Sequence, residues 1–206
     1  QGRAVAVVRF TNGAKIVYKP RCQRVQAAFG ELVAWFNTKL PSRLELRVAD
    51  SLLRNTYGWF EFVDHIPCVD CDQGDRFYGR LGALLALLYA VEATDVHYEN
   101  IIACADQPVL IDVETVFHPR LSPAMIADSD PAQAALDSSL CQTSLLPQFL
   151  IGDHGSLDFS GMGGDSGTVF PHDRVGWESA GTDRMRLVRV AFRSEERRVG
   201  KECRSR

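Results

Sequence analysis

The sequence predicts an α+β fold in two parts, a small part over residues 1–64 and a larger part over residues 65–192. The small part combines short β-branched and aromatic segments with a single segment of helical periodicity. The larger part opens with a long helix that carries a wide apolar stripe, and short strands follow it. The 206 residues are 46% hydrophobic and 24% charged, which excludes a disordered chain and allows a substantial core.

The elements of the small part follow from turn signals and periodicity. Asn12-Gly13, the strongest short hairpin signal, stands between two β-like segments. Pro20 ends the second of them, because proline donates no hydrogen bond to a neighbouring strand. Apolar side chains then recur at helical spacing, and Pro41 closes that segment. The predicted elements are strands at 3–10, 15–19, 44–48 and 58–65 and a helix at 23–37.

The larger part is predicted to place a loop between a helix and a hairpin. Leu81 and Leu84 share one stripe of the helix and Leu87 widens it, so we expect this helix to be buried on several sides. Beyond Phe117, Pro, Ser, Asp and Gly become frequent, and residues 159–167 read as a mobile loop. The predicted elements are a helix at 75–93, a loop at 94–99, a strand at 100–104, a turn at 106–108 and a strand at 109–113.

Charge, hydropathy and cysteine content indicate the compartment and exclude two kinds of partner. The net charge of -3 does not suit a nucleic-acid binder. No apolar run approaches the roughly 18 residues of a membrane-spanning helix. Six cysteines in a chain of this size without an export signal are expected to be reduced thiols, and the C-x-x-C pair Cys68 and Cys71 has no second pair at zinc spacing. We therefore expect a cytoplasmic protein that neither binds nucleic acid nor spans a membrane.

Both ends of the chain read as cut. Gln1 does not resemble a natural start, and residues 193–206 (RSEERRVGKECRSR) resemble the translation of a common sequencing-adapter oligonucleotide. Apolar periodicity also stops at Phe192. We expect residues 193–206 to be a non-native tail and the remainder to be a piece of a larger protein.

The clearest chemical pattern lies in the loop after the long helix. Asp95 and Asn100 match the D-x-x-x-x-N spacing of kinase catalytic loops, in which the Asp serves the acceptor hydroxyl and the Asn holds magnesium. Asp112 follows a short apolar strand, as the metal-binding Asp of kinases does. Asp95 or Asn100 alone could merely cap a turn, and His97 alone would more often be structural. The ordered Asp–Asn–Asp set indicates a functional site.

A kinase also needs a lysine for the phosphates and an acid that holds this lysine. Lys19 ends the strand after the hairpin turn, and alternation places Val17 on the same face, where it could line an adenine pocket. Glu31 lies on the next helix, where the corresponding kinase glutamate would lie. In isolation both residues read as solvent-facing. Only the order Lys–Glu–Asp–Asn–Asp favours a site for ATP and Mg²⁺.

Longer segments resemble known families. TDVHYENII followed by LIDVE resembles the D-x-H-x-x-N…D loop of phosphoinositide lipid kinases. The N-terminal dehydratase domain of LanM-type (class II) lanthipeptide synthetases is a closer match, over about residues 3–190. The matching segments are IVYKPR (16–21), FGELVAWFN (29–37), GWFEFVDH (58–65), GALLALLYAVEATDVHYENIIA (82–103) and PVLIDVETVF (108–117).

This resemblance implies a kinase-like bilobal fold with a lipid-kinase-like core, truncated at both ends. It implies that ATP phosphorylates Ser and Thr of a ribosomal precursor peptide, made of a leader and a core, and that phosphate is then eliminated to leave dehydroamino acids. A C-terminal zinc cyclase domain is expected in the full-length chain. The expected site residues are Asp95 and His97 at the acceptor hydroxyl, Lys19, Glu31 and Asn100 at the nucleotide, and Asn100, Asp112 and Glu114 at Mg²⁺.

Two other functions fit the same residues. One is a kinase-like phosphotransferase that acts on a lipid or small molecule without elimination. The other is a catalytically dead kinase-like binding module, against which the intact Lys–Asp–Asn–Asp set argues. Phosphate transfer without later loss of phosphate would favour the first, and ATP binding without turnover would favour the second.

Overall fold

The computed structural model describes residues 4–117, 130–163 and 170–190. The tail predicted at 193–206 lies outside these residues. Four strands form the first sheet: β1 (Ala6–Arg9), β2 (Lys15–Lys19), β3 (Ser51–Leu53) and β4 (Gly58–Glu61). They are antiparallel and lie in the order β1-β2-β4-β3. The predicted hairpin is confirmed, since Gly13 adopts a φ of +87° in the turn and Val7 pairs with Val17.

One predicted strand of the small part is wrong. Residues 44–48 are not a strand: a 3-10 turn covers Ser42–Leu44, and extended chain follows it. The Asn37 side chain bonds both backbone groups of Leu46, accepting from its N–H at 2.9 Å and donating to its carbonyl at 2.9 Å. The N–H of Arg47 donates to the Gln107 side chain at 3.2 Å. Side chains therefore satisfy the polar groups that a neighbouring strand would otherwise use.

Two helices supply most of the core. Helix α1 (Arg24–Asn37) buries Phe29 and Val33, and helix α2 (Cys71–Ala90) buries a stripe that includes the fully buried Leu88. α2 begins before the predicted residue 75, because the Asp70 side chain caps it by accepting a hydrogen bond from the Gln73 N–H at 2.8 Å. Its first turn carries no apolar periodicity, so the sequence pattern missed this turn.

A hairpin of β5 (Ile101–Cys104) and β6 (Gln107–Leu110) packs beside α2. Its turn is centred at residues 105–106 rather than at the predicted 106–108, and Ala105 adopts a φ of +53° there. Pro108 pairs with Ala103 inside the hairpin, which a strand on the edge of a sheet tolerates. The second strand ends at Leu110, before the predicted residue 113.

Ion pairs attach this hairpin to α2. The Asp106 carboxylate accepts from Arg76 Nε at 2.7 Å and lies 2.8 Å from Arg80 Nη1, which also donates to the Asp106 carbonyl at 2.9 Å. Burial raises the pKa of Asp106, but the hydrogen bonds from the two arginines outweigh burial and hold this pKa below its ordinary value. We call the contact of Asp106 with Arg76 and Arg80 the clamp. The clamp depends on the ionised form of the Asp106 carboxylate.

The rest of the described chain adds short elements, so the α+β composition predicted from the sequence is confirmed. These elements are α3 (Pro131–Asp137), β7 (Phe149–Gly152), β8 (Gly155–Asp158), β9 (Arg174–Glu178) and β10 (Arg186–Val190), and the strands form the hairpins β7-β8 and β9-β10. The five cysteines within the described ranges form no disulfide. No helix among the described residues combines the length and apolar composition that crossing a membrane requires.

The clamp makes stability depend on pH. We expect Asp106→Asn to lower the free energy of unfolding at pH 7 by about 1–2 kcal/mol, because Arg80 loses its charged partner. A depressed carboxyl pKa stabilises the fold above the unfolded value of about 3.9, and this stabilisation is lost as pH falls through the folded value. Urea denaturation between pH 7 and pH 3 should show that the difference in free energy of unfolding between the wild type and Asp106→Asn becomes smaller as the pH falls. Asp75→Asn, which changes an exposed acid of α2, is the control. A loss of unfolding free energy that does not vary with pH in Asp106→Asn would contradict the expectation.

Candidate active-site cleft

The loop between α2 and β5 presents the first candidate residues. Asp95 is exposed and adopts a φ of +60°, a conformation that costs energy for a residue with a Cβ. The Asn100 side chain closes the loop, since its Nδ2 donates to the Asp95 carbonyl at 2.8 Å. This orientation leaves the amide oxygen of Asn100 as the group that can face a ligand.

His97 is oriented within the same loop. Its Nδ1 accepts from the Glu99 N–H at 3.2 Å, which assigns the proton of the neutral ring to Nε2. That Nε2 lies 3.8 Å from Asp95 Oδ1. The two side chains are therefore near neighbours, at a distance longer than a hydrogen bond.

Part of the segment 159–167, which the sequence predicted to be a mobile loop, packs under the loop between α2 and β5. The Val96 side chain is 1% exposed, and its N–H donates to the Thr143 carbonyl at 2.9 Å. A Cβ at Gly161 would lie 2.6 Å from the Val96 carbonyl oxygen, so only glycine permits this approach. Ser160 pairs with His97 in a single antiparallel bridge. Residues 159–163 thus support the loop, and residues 164–169 lie outside the described chain.

Lys19 reaches across from the first sheet to the end of the β5-β6 hairpin. It is 8% exposed, and its Nζ donates to the Ile111 carbonyl at 2.8 Å and lies 5.1 Å from the centre of the Phe60 ring. Burial lowers the pKa of Lys19, the Asp112 carboxylate raises it and Arg21 lowers it, and the net shift is below the ordinary value. The ammonium is therefore poorly solvated and close to an acidic group.

Glu31 does not hold Lys19. It is exposed on α1, and within the described residues no ion pair joins it to the lysine. The buried polar residue of α1 is Gln26, which is 5% exposed and lines the cleft described below. Five residues of helix turn the chain by about 500°, so Glu31 points some 140° away from Gln26. The sequence order suggested that Glu31 faces the site, whereas the helical phase turns Gln26 toward the cleft and Glu31 toward solvent.

Asp112 and Glu114 follow the hairpin as a pair. Asp112 Oδ1 accepts from the Glu114 N–H at 3.2 Å. Arg21 Nη2 lies 3.5 Å from Asp112 Oδ2 and also contacts the Glu114 carboxylate. Among the residues that the structure describes, no three His, Cys, Asp or Glu side chains converge as a metal cluster. Two carboxylates with the Asn100 amide suit Mg²⁺, because this ion keeps waters and phosphate oxygens as its remaining ligands.

A cleft of about 610 Å³ brings together Lys19, Asn100 and Asp112, whereas Asp95, His97 and Glu114 are not among the residues that line it. Both the first sheet and the β5-β6 hairpin line it, and Lys19, Asn100 and Asp112 all contribute to its wall. Its apolar lining includes Val5, Val17, Ala49, Phe60, Val63 and Ile102. Lys15 also lines the cleft and forms an ion pair with Asp64 at 2.6 Å. The tertiary structure therefore combines an apolar cavity with a cation, an amide and a carboxylate.

A second cavity of about 380 Å³ lies against His97. Its other lining residues are Tyr98, Glu99, Leu150, Phe159, Phe170 and Arg174. Glu99 lines both cavities, so the loop between α2 and β5 borders each of them. The sequence did not predict this cavity, because the residues that line it come from segments far apart along the chain.

Two comparisons with known proteins identify the family of this chain. The family DUF4135, described as a domain of unknown function, matches residues 1–202, and the chain belongs to this family. The chain is also 29% identical over 188 residues to a protein of Lactococcus lactis subsp. lactis named "Lacticin 481/lactococcin biosynthesis protein LcnDR2". That similarity covers 84% of this chain and 20% of the relative, so the chain spans about a fifth of the relative's length. Together they confirm the resemblance to LanM-type lanthipeptide synthetases.

The electrostatics around Lys19 can be tested directly. Because Asp112 raises the pKa of Lys19, we expect Asp112→Asn to lower it further and to increase the neutral fraction of the amine near pH 8. Competitive labelling with acetic anhydride, read by mass spectrometry, should show faster acylation of Lys19. Asp64→Asn is the matched control, since this acid pairs with Lys15 instead. Equal Lys19 rates in the wild type and Asp112→Asn would show that Asp112 does not act on this ammonium.

Proposed function

We propose that this chain forms the phosphorylation centre of a lanthipeptide synthetase, an ATP-dependent enzyme that phosphorylates Ser and Thr of a precursor peptide and then eliminates phosphate. The observation that carries the proposal is the convergence of Lys19, Asn100 and Asp112, from three separate segments, on one cleft. The relative's name, a lacticin 481/lactococcin biosynthesis protein, supports the peptide product class.

The proposed fold is kinase-like, with the first sheet and α1 as the small lobe and α2 with the β5-β6 hairpin as the start of the large lobe. The cleft between them accepts the nucleotide. Val17, Ala49 and Phe60 supply apolar surface for a purine ring, and the buried Lys19 ammonium faces the phosphates. An ammonium with few water contacts attracts phosphate more strongly than one in bulk water does.

The metal would be held by Asp112, Glu114 and the amide oxygen of Asn100. When bound, Mg²⁺ would neutralise charge on the phosphate oxygens during transfer. The contribution of the chain is to place Asp112 and Asn100 on the same cleft as Lys19, with Glu114 two residues beyond Asp112. Asp112 follows Ile111, whose carbonyl binds the lysine, so the phosphate-binding and metal-binding groups are set by the same stretch of backbone.

The acceptor hydroxyl is proposed to approach from the His97 side. Its oxygen attacks the γ-phosphorus, the bond from that phosphorus to the bridging oxygen of ADP breaks, and Asp95 takes the hydroxyl proton. Asp95 is exposed and so accessible to a large substrate, and Nε2 of His97 lies 3.8 Å from its carboxylate. The second cavity, with three aromatic side chains and Arg174, gives room for peptide residues beside the acceptor.

Elimination completes the proposed reaction. Removal of the α-proton of the phosphorylated residue and departure of phosphate leave a carbon–carbon double bond, which gives dehydroalanine from Ser and dehydrobutyrine from Thr. We assign no residue of this chain to that step. A C-terminal cyclase domain in the full-length protein is proposed to use the products.

Asp112→Asn tests the metal site in the intact protein. The change keeps the shape of the side chain but removes its charge, so we expect phosphorylation to slow at least a hundredfold, or about 3 kcal/mol in the barrier. The assay is mass spectrometry of the cognate precursor peptide with ATP and Mg²⁺. Asp50→Asn, an exposed acid of the small lobe, is the matched control and should keep wild-type activity. Near-normal dehydration by Asp112→Asn would remove Asp112 from the site.

The same assay separates the alternatives. Gain and subsequent loss of phosphate on the peptide supports the dehydratase. Stable phosphopeptide, or phosphorylation of a lipid instead of the peptide, supports a simple phosphotransferase. ATP binding without any product supports a catalytically dead module.

A second variant pair tests the nucleotide site. Lys19→Ala should abolish phosphorylation, because its ammonium lies beside Asp112 and Ile111 at the proposed phosphate position. Lys15→Ala should keep activity within a few-fold, because that ammonium is engaged by Asp64 at 2.6 Å. Circular dichroism should first establish that both variants fold. An inactive Lys15→Ala with an active Lys19→Ala would show that the phosphates bind elsewhere.

A further inference from the structure

The Arg21 guanidinium forms ion pairs with both carboxylates of the proposed metal site. Its Nη2 lies 3.5 Å from Asp112 Oδ2 and contacts Glu114 Oε1 directly. The Arg21 N–H donates to the Lys19 carbonyl at 3.0 Å, and this tight turn after β2 places the two cationic side chains near each other. Arg21 therefore belongs to the same constellation as Lys19, although the predicted site residues did not include it.

The guanidinium of Arg21 is incompletely paired. Its Nε is buried and makes no hydrogen bond within the described residues, whereas Nη2 serves both carboxylates. A buried donor without a partner is costly, so this geometry leaves capacity for a further acceptor. The planar fork of donors on arginine matches the paired oxygens of a phosphate.

We propose that Arg21 is a positioning residue that exchanges partners when the metal–nucleotide complex binds. This inference rests on the proposed function. Before binding, its guanidinium neutralises Asp112 and Glu114 and keeps them together. A divalent cation needs the same oxygens and repels the guanidinium, so the two compete for this pair. The displaced guanidinium, with its unpaired Nε–H, then binds phosphate oxygens of the nucleotide. Each carboxylate thus keeps a cationic partner throughout the exchange.

This role predicts opposite effects on two affinities. Removing the Arg21 charge should strengthen binding of a divalent cation alone, because a competitor is lost. The same change should weaken binding of the metal–nucleotide complex, because a phosphate ligand is lost. A purely structural Arg21 would weaken both affinities together, since a distorted site binds neither ligand well.

The experiment measures both affinities in the intact protein. Mn²⁺ alone is followed by electron paramagnetic resonance, and Mn²⁺ with a non-hydrolysable ATP analogue is followed by calorimetry. For Arg21→Met we expect about threefold to tenfold tighter Mn²⁺ binding and about tenfold weaker binding of the complex. Arg21→Lys keeps the charge without the fork, and both of its affinities should lie between those of the wild type and Arg21→Met. Arg54→Met, an exposed arginine of the same sheet region, should change neither.

The outcomes separate this inference from the proposed function. If wild-type protein binds the complex while Arg21→Met moves both affinities in the same direction, or moves neither, the partner exchange is wrong and the nucleotide site stands. If Arg21→Met does not fold, the two affinities of Arg21→Lys decide in the same way. If wild-type protein does not bind the metal–nucleotide complex, the proposed function fails, and the exchange fails with it.

Discussion

A buried ammonium holds the candidate site together. Lys19 is 8% exposed and donates to the Ile111 carbonyl at 2.8 Å, so a charge from the first sheet is satisfied by the backbone of the second part of the chain. Burying a charge is costly unless polar groups surround it, and here the carbonyl, the Phe60 ring and the nearby Asp112 carboxylate do so. The position of the lysine and that of Asp112 are therefore mutually dependent.

Ion pairs and hydrogen bonds connect this contact to α2 and to the loop that follows α2. Asp106 fastens the hairpin turn to Arg76 and Arg80, and the Ile111 N–H donates to the Asn100 carbonyl at 2.8 Å. Asn100 in turn bonds the Asp95 carbonyl, which holds Asp95 in a conformation with positive φ. Strain of this kind persists only where the surroundings over-determine the backbone. The loop residues proposed to act on the acceptor thus derive their geometry from the same hairpin.

Local elements followed from local signals. The sequence pattern correctly predicted the elements that nearby residues specify, which are the Asn12-Gly13 turn, the strand at 15–19 and α1. The strand predicted at 44–48 was wrong, because the Asn37 and Gln107 side chains bond the backbone of this segment. Hydrophobic periodicity carries no information about such side-chain partners. The beginning of α2 was missed because a single capping side chain, Asp70, sets it rather than an apolar stripe.

The sequence by itself determined the chemical inventory of the site: a lysine at a strand end, an Asp–Asn loop after a helix, and an Asp after an apolar strand. Tertiary structure decided which of these residues meet. It brought Lys19, Asn100 and Asp112 to one cleft, turned Glu31 to solvent while Gln26 faces inward, and set Arg21 against both carboxylates. The physical reason is that residue order along a chain specifies neither helical phase nor distance between segments. Packing sets both, because buried apolar faces and charges must find their partners at the same time.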